Sequence, residues 1–510
     1  MLHHGPAEGW NPVSQAPANL GGRVAAGAAW AMLFKLLERG LGLISTLILA
    51  RILVPEDFGL VAIASSFVAL LELMRMFGFD TALIQLRTVT PDHMNTAWTF
   101  AAGLGLGIAA LVAATAPLVA DFYGDPRLAP VLWVLALAAL FNGLESNGPV
   151  MLRRGLQWRK DFIFQTVRKT AAVAFTIPLA ILWRNYWALV VGMLMGRFAS
   201  LVASYVISPY RPRPSLAARA DLWGFSKWVF ISNMLQFLQQ RLPNLIMGRL
   251  ASPAAVGYFG MARDIGTIPT MEMVMPINRA AFPGYAKIAH DPRRMREGFL
   301  KLLAAIALVV LPAGIGVAAT AELIVKVFLG PKWLPAVPAM QVLSVYGALY
   351  GLQSNANAAY LAIGRPRLQT AMMLAFVAVL VPGLVILTPR FAQTGAALAC
   401  LLAAAVAVPL NLVNVCHCLG IRARELFGAL WRPVLGSAVM AVAVWATLSV
   451  LPDADSVPTA ALLLAAGVVV GALSYSLMVL GLWWASGRPA GAERWLLDRV
   501  TTRLRGSETR

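Results

Sequence analysis

The sequence predicts an all-α integral membrane protein of about fourteen transmembrane helices. Twelve of them form two six-helix lobes related by a pseudo-two-fold axis along the membrane normal, and two follow at the C-terminal end. Three observations predict this. The chain is 59% hydrophobic and 13% charged, with mean hydropathy +0.71, whereas a soluble domain carries about 25% charged residues. Apolar stretches of about 20 residues, enough for a helix to cross a core of roughly 30 Å, recur along the whole chain. A nine-residue pattern of Arg, Pro and Gly that follows the first stretch returns after the seventh.

The spans are read at 24–50, 59–78, 95–118, 130–149, 163–183, 187–208, 226–248, 256–280, 299–320, 335–363, 370–388, 393–416, 432–451 and 458–484. Unbroken apolar runs such as 462–470 are helical; a transmembrane β-barrel strand has about ten residues of alternating character. These spans divide the chain into a cytoplasmic tail (1–23), an N-lobe (24–208), an inter-lobe linker (209–225), a C-lobe (226–416), two further helices (417–484) and a basic cytoplasmic tail (485–510). The first residues lack a signal-type apolar core, so no cleavage is expected.

Lys and Arg prefer cytoplasmic loops. With the N-terminus inside, the inner segments hold Arg153, Arg154, Arg159, Lys160, Arg211, Arg213, Arg219, Lys287, Arg293, Arg294, Arg296, Arg365, Arg367, Arg422, Arg424 and a six-Arg tail. The outer loops hold Arg51, Arg127, Arg184, Arg249, Lys326, Lys332 and Arg390. Topology thus accounts for most of the excess of 42 Lys and Arg over 23 Asp and Glu, and no nucleic acid partner is expected. The tail from Glu493 to Leu504 reads either as an amphipathic helix for an anionic membrane surface or as a solvated tail. Cys400, Cys416 and Cys418 provide no disulfide framework.

The repeated corner runs Arg51-Ile-Leu-Val-Pro55-Glu-Asp-Phe-Gly59 and Arg249-Leu-Ala-Ser-Pro253-Ala-Ala-Val-Gly257. Each copy joins the first two helices of a six-helix set. Because six is even, both sets keep one orientation, which places the axis along the membrane normal and a central cavity between the lobes.

The stretch from Leu49 to Ala62, preceded by Leu41-Gly-Leu-Ile-Ser-Thr46, resembles the first hairpin of bacterial polysaccharide and oligosaccharide flippases of the multidrug/oligosaccharidyl-lipid/polysaccharide superfamily. So do Val327-Phe-Leu-Gly-Pro-Lys-Trp-Leu-Pro-Ala336 and Ala362-Ile-Gly-Arg-Pro-Arg367. The resemblance covers about residues 24–430 and rests on packing and turn signatures. It implies alternating access by two lobes. The cargo it implies is an undecaprenyl-pyrophosphate-linked oligosaccharide, moved from the cytoplasmic to the periplasmic leaflet of the bacterial inner membrane for lipopolysaccharide or exopolysaccharide synthesis. Membrane lipids, a polysaccharide polymerase and export machinery are the other expected partners, and no cofactor or metal is expected.

An ionisable residue inside the bilayer needs a partner or a wet cavity. The first lobe has Lys35, Glu38, Arg39, Glu72, Arg75, Arg168 and Lys169; the second has Arg241 among Gln236, Gln239, Gln240 and Asn244, then Arg263, Asp264 and Glu272. Lys35 and Arg39, four apart, share a helix face. Arg39 and Arg241 precede the matching Arg51 and Arg249 by twelve and eight residues, so their depths agree within about one turn, roughly 6 Å. A pyrophosphate needs convergent cations, and the guanidinium fork matches phosphate oxygens. Lys35, Arg39, Arg241 and Arg263 are therefore the expected pyrophosphate ligands, and Asp264 and Glu272 the expected ion-coupling carboxylates. Competing readings pair Arg39 with Glu38 and Glu72 with Arg75, and let Arg168, Lys169, Arg197 and Arg279 snorkel to span ends. Arg263 and Asp264 diverge by about 100° on a helix, so one of them braces the lobe.

Other patterns carry no chemistry. Asp453-Ala-Asp455 resembles a glycosyltransferase metal motif, but it falls in a short outer loop. Cys416-His417-Cys418 has no second ligand group at zinc spacing. Gly103-Leu-Gly-Leu-Gly107 lies inside a span, where it serves packing. Pro243, Pro269, Pro276, Pro312 and Pro382 fall inside spans and read as packed kinks. No connector exceeds about twenty residues, which leaves no catalytic domain, so the protein is not expected to be an enzyme. The rivals are a multidrug or metabolite cation antiporter, which should favour acidic or aromatic cavity walls, and a polysaccharide polymerase or ligase, which should carry a large outer loop.

Overall fold

The structure is a computed structural model that describes residues 20–73, 83, 89–155, 157–219, 226–451 and 456–488, with the backbone alone at some helical positions, Arg279 among them. Arg75, Asp453, Asp455 and the tail helix expected at 493–504 lie outside the described residues. The regular elements are all helical: α1 (Leu20–Ile52), α2 (Pro55–Glu72), α3 (Pro91–Tyr123), α4 (Leu128–Leu144), α5 (Gly148–Arg154), α6 (Trp158–Trp183) and α7 (Trp187–Ile207). After these come α8 (Ser226–Leu250), α9 (Pro253–Gly266), α10 (Ile268–Ile288), α11 (Pro292–Ile324), α12 (Val337–Ala362), α13 (Pro366–Leu419), α14 (Ala423–Val450) and α15 (Val457–Ala485). A π turn and a 3-10 turn, Val325–Leu329 and Pro331–Ala336, link α11 to α12. The chain divides into two compact units, Met1–Phe237 and Leu238–Arg510, and the division falls within α8.

The protein is a multi-pass membrane protein. Among the described residues, seven helices are long and apolar enough to cross a membrane, or eight if the bent pair α4 and α5 forms one span. Neither α1 nor α2 belongs to that set, and these are the helices that carry Lys35, Glu38, Arg39 and Glu72.

In the N-terminal unit α6 packs on α7 and α1, and α4 on α3, α7 and α2. Helices surrounded by lipid gain little from apolar burial, so they rely on small residues for close approach. Gly192 of α7 shows this: a Cβ there would stand 1.7 Å from Thr176 Oγ1 of α6. In the C-terminal unit α12 is central, packed by α9, α10, α11 and α13, while α14 and α15 pair and dock on α11. Gly347 admits the Thr270 hydroxyl in the same way, its Cβ position lying 2.6 Å from Oγ1.

The two copies of the repeated corner adopt one conformation. Val54 (φ −92°, ψ 157°) and Ser252 (φ −88°, ψ 157°) each precede a Pro that opens the next helix, where its missing N–H costs nothing. The helix before each corner closes with a 2.8 Å hydrogen bond, Leu53 N to Leu49 O in one and Ala251 N to Met247 O in the other.

Side-chain links bind loops that alternate crossing would place on one side. Arg127 Nη2 donates to Glu56 Oε1 at 2.5 Å and Asp125 Oδ2 at 2.8 Å, joining the α1–α2 corner to the α3–α4 loop. That guanidinium holds the Asp125 carboxyl below the usual range. Asp57 Oδ1 accepts from Tyr186 N at 3.1 Å and Oδ2 from Val54 N at 3.2 Å, tying the same corner to the start of α7. At the opposite end of this unit, Arg153 Nε donates to Asp161 Oδ1 at 2.9 Å and Arg154 Nη1 to Leu83 O at 2.7 Å. There the extended segment after α7 lies along the first turns of α3. Tyr210 Oη donates to Asn95 Oδ1 (2.6 Å), Arg213 N to the same atom (3.1 Å), Ser215 N to Thr99 Oγ1 (2.9 Å) and Ala218 N to Thr96 Oγ1 (3.2 Å). In the C-terminal unit Arg296 pairs with Glu425 at one end, lowering the Glu425 carboxyl, while Gln393 Nε2 donates to Pro335 O at 3.0 Å at the other.

Two elements differ from the span reading. The expected 256–280 span is two helices, α9 and α10, jointed at Thr267 (φ −95°, ψ −8°). Pro269 cannot donate to the carbonyl of Ile265 and its ring crowds the preceding turn. The 130–149 span ends at Leu144 and bends by 54° into α5. Residues 370–388 and 393–416 are the two limbs of α13, folded on each other about Ala392 (φ 46°, ψ −124°) so closely that a Cβ at Gly395 would stand 2.1 Å from Leu387 O. Alanine is strained at Ala392 by about 1–3 kcal/mol, against a glycine entropy cost of roughly 0.5–1 kcal/mol. Ala392→Gly is therefore expected to raise the melting temperature of the protein in nanodiscs; an unchanged or lower value counts against the strain.

Candidate functional site

Phe34 of α1 is buried against α6, with its ring 6.3 Å from Phe162. Trp30, one turn earlier, meets the same ring at 5.1 Å. This packing fixes the rotation of α1. Lys35 and Arg39 lie on the helix surface turned away from it, and both are exposed. The strip expected from their four-residue spacing is thus presented outward by a helix anchored through its aromatic face.

Two further carboxylates of the N-terminal unit are hydrogen-bonded within it. Glu72 Oε1 accepts from Asn142 Nδ2 at 3.1 Å, and Glu145 Oε2 from Ser200 Oγ at 3.2 Å. Arg168 lies in the fields of Arg197, Glu145, Glu38 and Arg153. Since α6 begins at Trp158, Lys169 lies about 17 Å along the helix. Its ammonium lies near Gly42 of α1 and lines a cavity of about 300 Å³ with Ser45, Ser65 and Thr176.

In the C-terminal unit Arg241 is half-buried on α8. Arg263 of α9 donates from Nη1 to Gln240 O at 2.9 Å, and its Cζ stands 5.5 Å from the centroid of the Phe259 ring. It also acts electrostatically on Tyr346 of α12 and Cys400 of α13. Gln239 is hydrogen-bonded to the hydroxyls of both Tyr346 and Tyr350. Those rings, 5.7 Å apart, pack with Phe376 at 6.4 and 6.2 Å. Gln239 and Arg263 therefore belong to an internal network of their own unit. Asp264 and Glu272 are exposed, and their own unit does not supply the burial that ion coupling requires.

The Tyr346–Tyr350–Gln239 network was missed because its members lie about a hundred residues apart on helices that read simply as apolar. Lys169 was named in the sequence as an ionisable residue of its span, but the cavity it lines was not legible there. Of the glycine triplet in α3, only Gly105 packs; its Cβ position is 2.5 Å from Gly143 Cα, while Gly103 and Gly107 have nothing within 4 Å. Among the described residues no group of His, Cys, Asp and Glu has the arrangement of a metal site.

A family model described as polysaccharide biosynthesis protein matches residues 48–338, more than half of the chain. The chain belongs to the polysaccharide biosynthesis protein family. The chain is similar to the lipopolysaccharide biosynthesis protein WzxC of Escherichia coli (strain K12), 25% identical over 416 residues that cover 80% of this chain and 84% of WzxC. The succinoglycan biosynthesis transport protein ExoT of Rhizobium meliloti (strain 1021) is 25% identical over 62% of this chain and 64% of ExoT. In fold, this polysaccharide biosynthesis protein is similar to the lipid II flippase MurJ in an inward closed conformation, with TM-score 0.73 and 14% identity over 90% of this chain and 99% of that one.

Proposed function

We propose that the protein is a flippase that carries lipid-linked oligosaccharides across the membrane by alternating access, without catalysing a reaction. The observation that carries this reading is the match to the polysaccharide biosynthesis protein family, and the exposed Lys35 and Arg39 on one face of α1 suit an anionic cargo. A cation antiporter would favour acidic walls. The names of the relatives, a lipopolysaccharide biosynthesis protein and a succinoglycan transport protein, support a glycan cargo.

In this reading the carrier lipid is undecaprenyl pyrophosphate. Its phosphates meet Lys35 and Arg39 from one lobe and Arg241 from the other, with Arg263 adding positive field from the braced network. Fourteen crossings give two six-helix lobes and two added helices, in the inner membrane, with both termini cytoplasmic. A polysaccharide polymerase and export machinery take the cargo onward. Reporter fusions after Arg154, Arg219 and Arg294 are expected to score cytoplasmic, and one at Asp455 periplasmic; reversal at two sites overturns this topology.

Asp264 and Glu272 are assigned to ion coupling, where closure of the cavity would desolvate a carboxylate that the opposite state hydrates. The test uses proteoliposomes with a fluorescent pyrophosphate-linked oligosaccharide under imposed proton or sodium gradients. Transfer between leaflets that needs the wild-type protein supports the function, and its absence under every gradient refutes it. Loss of gradient dependence in Asp264→Asn or Glu272→Gln supports the coupling role; wild-type dependence in both removes it.

A further inference from the structure

A groove of about 570 Å³ runs between the last turns of α4 and α7, lined by Leu144, Leu201, Val202, Tyr205, Val206 and Arg211. Its wall is apolar and uncovered within the N-terminal unit: Val202 is 46% and Val206 76% exposed. A surface of this kind on a membrane protein meets acyl chains. The groove also has a cation at one end, and that cation is held in place.

Arg211 lies four residues beyond the end of α7, in the segment strapped to α3. Its Nη1 donates to Ser208 O at 2.8 Å and Tyr210 O at 3.1 Å, and its Cζ stands 5.8 Å from the centroid of the Tyr205 ring. Tyr205 is fixed in turn by its hydroxyl, which donates to Leu144 O at 2.9 Å. Asn95 holds both Tyr210 and the backbone of Arg213. One edge of the guanidinium is thus spent on orientation, while Nε and Nη2 make no hydrogen bond among the described residues. No acidic residue lies between Ile207 and Arg219, where Arg213 and Arg219 add positive charge. Glu145, which follows Leu144, is engaged by Ser200.

We propose that this groove binds an acyl phospholipid with an anionic headgroup, the chain along Val202 and Val206 and the phosphate on the open edge of Arg211. Basic sites between transmembrane helices at the membrane surface recognise anionic headgroups by such an arrangement. A pyrophosphate cargo would need two or more convergent cations, and the groove supplies one, so a bulk phospholipid is the occupant that fits. The site stands whether or not the flippase reading holds.

The test is native mass spectrometry of the full-length protein titrated with phosphatidylglycerol or phosphatidylcholine. Wild-type protein is expected to bind phosphatidylglycerol more tightly. Losing a charge-assisted hydrogen bond should weaken that binding by about tenfold to over a hundredfold in Arg211→Gln. Arg213→Gln, outside the groove lining, should weaken it much less. Val206→Trp, a change at an exposed position that fills the groove, should lower binding of both lipids and serves if Arg211→Gln does not fold. Equal wild-type binding of the two lipids, or unaltered phosphatidylglycerol binding in both groove variants, overturns the proposal. A polyprenyl pyrophosphate that binds more tightly than phosphatidylglycerol, and is lost in the same variants, also overturns it by marking the groove as a cargo site.

Discussion

Arg39→Gln and Arg241→Gln are each expected to abolish export while folded protein stays in the membrane. Glutamine keeps much of the side-chain length and removes the charge. A charge-assisted hydrogen bond is worth about 1.5–3 kcal/mol, so each loss should weaken cargo binding by roughly tenfold to over a hundredfold. Arg→Lys should retain part of the activity, since a point charge attracts phosphate without matching its paired oxygens. Arg39 is exposed on α1, so its replacement should change stability by no more than about 0.5 kcal/mol. Arg263→Gln should behave differently, because it removes the bond to Gln240 O and the contact with Phe259 and should lower the melting temperature. Export, yield and melting temperature measured together, with exposed Arg367→Gln as control, separate the two patterns. Well-folded Arg39→Gln and Arg241→Gln proteins that export normally would sink the cationic-cavity mechanism.

A large effect on stability is expected at Gly105. A methyl group there would meet the backbone of Gly143 at 2.5 Å, and a backbone cannot rotate aside as a side chain can. Gly105→Ala must therefore push α3 from α4, at about 1–3 kcal/mol for overpacking and more if the whole pair shifts. Gly103→Ala and Gly107→Ala have open space at the new methyl and gain helix propensity, about 0.8–1.0 kcal/mol for Gly to Ala in a soluble helix interior. Thermal unfolding in nanodiscs should thus rank Gly105→Ala well below wild type and the flanking variants at or above it. Similar melting temperatures for all three would show that the contact does not bind the pair.

Most helices of this fold were legible in the sequence because hydropathy, and Pro and Gly at corners, report local choices. The α1–α2 and α8–α9 corners were legible for that reason: Pro55 and Pro253 each open a helix wherever they stand. The joint at Thr267 was not, because Pro269 sits in an apolar run where a kink and a break look alike. At the candidate site, the shared face of Lys35 and Arg39 followed from helical geometry alone. The bond from Arg263 to Gln240 O did not, because no spacing rule pairs these two residues. The same limit hid the single packing glycine in α3, since all three look alike until α4 is in place.

The segment strapped along α3 bears on how the molecule is made. Its partners Asn95, Thr96 and Thr99 precede it in the chain by more than a hundred residues. Translation runs at about 5–20 residues per second, so the second unit takes on the order of 15–55 s to synthesise after Phe237. The strap can close before any of that unit leaves the ribosome. The nascent chain then meets its second half with the first already tied off, which removes an early opportunity for helices of the two halves to pair wrongly during insertion.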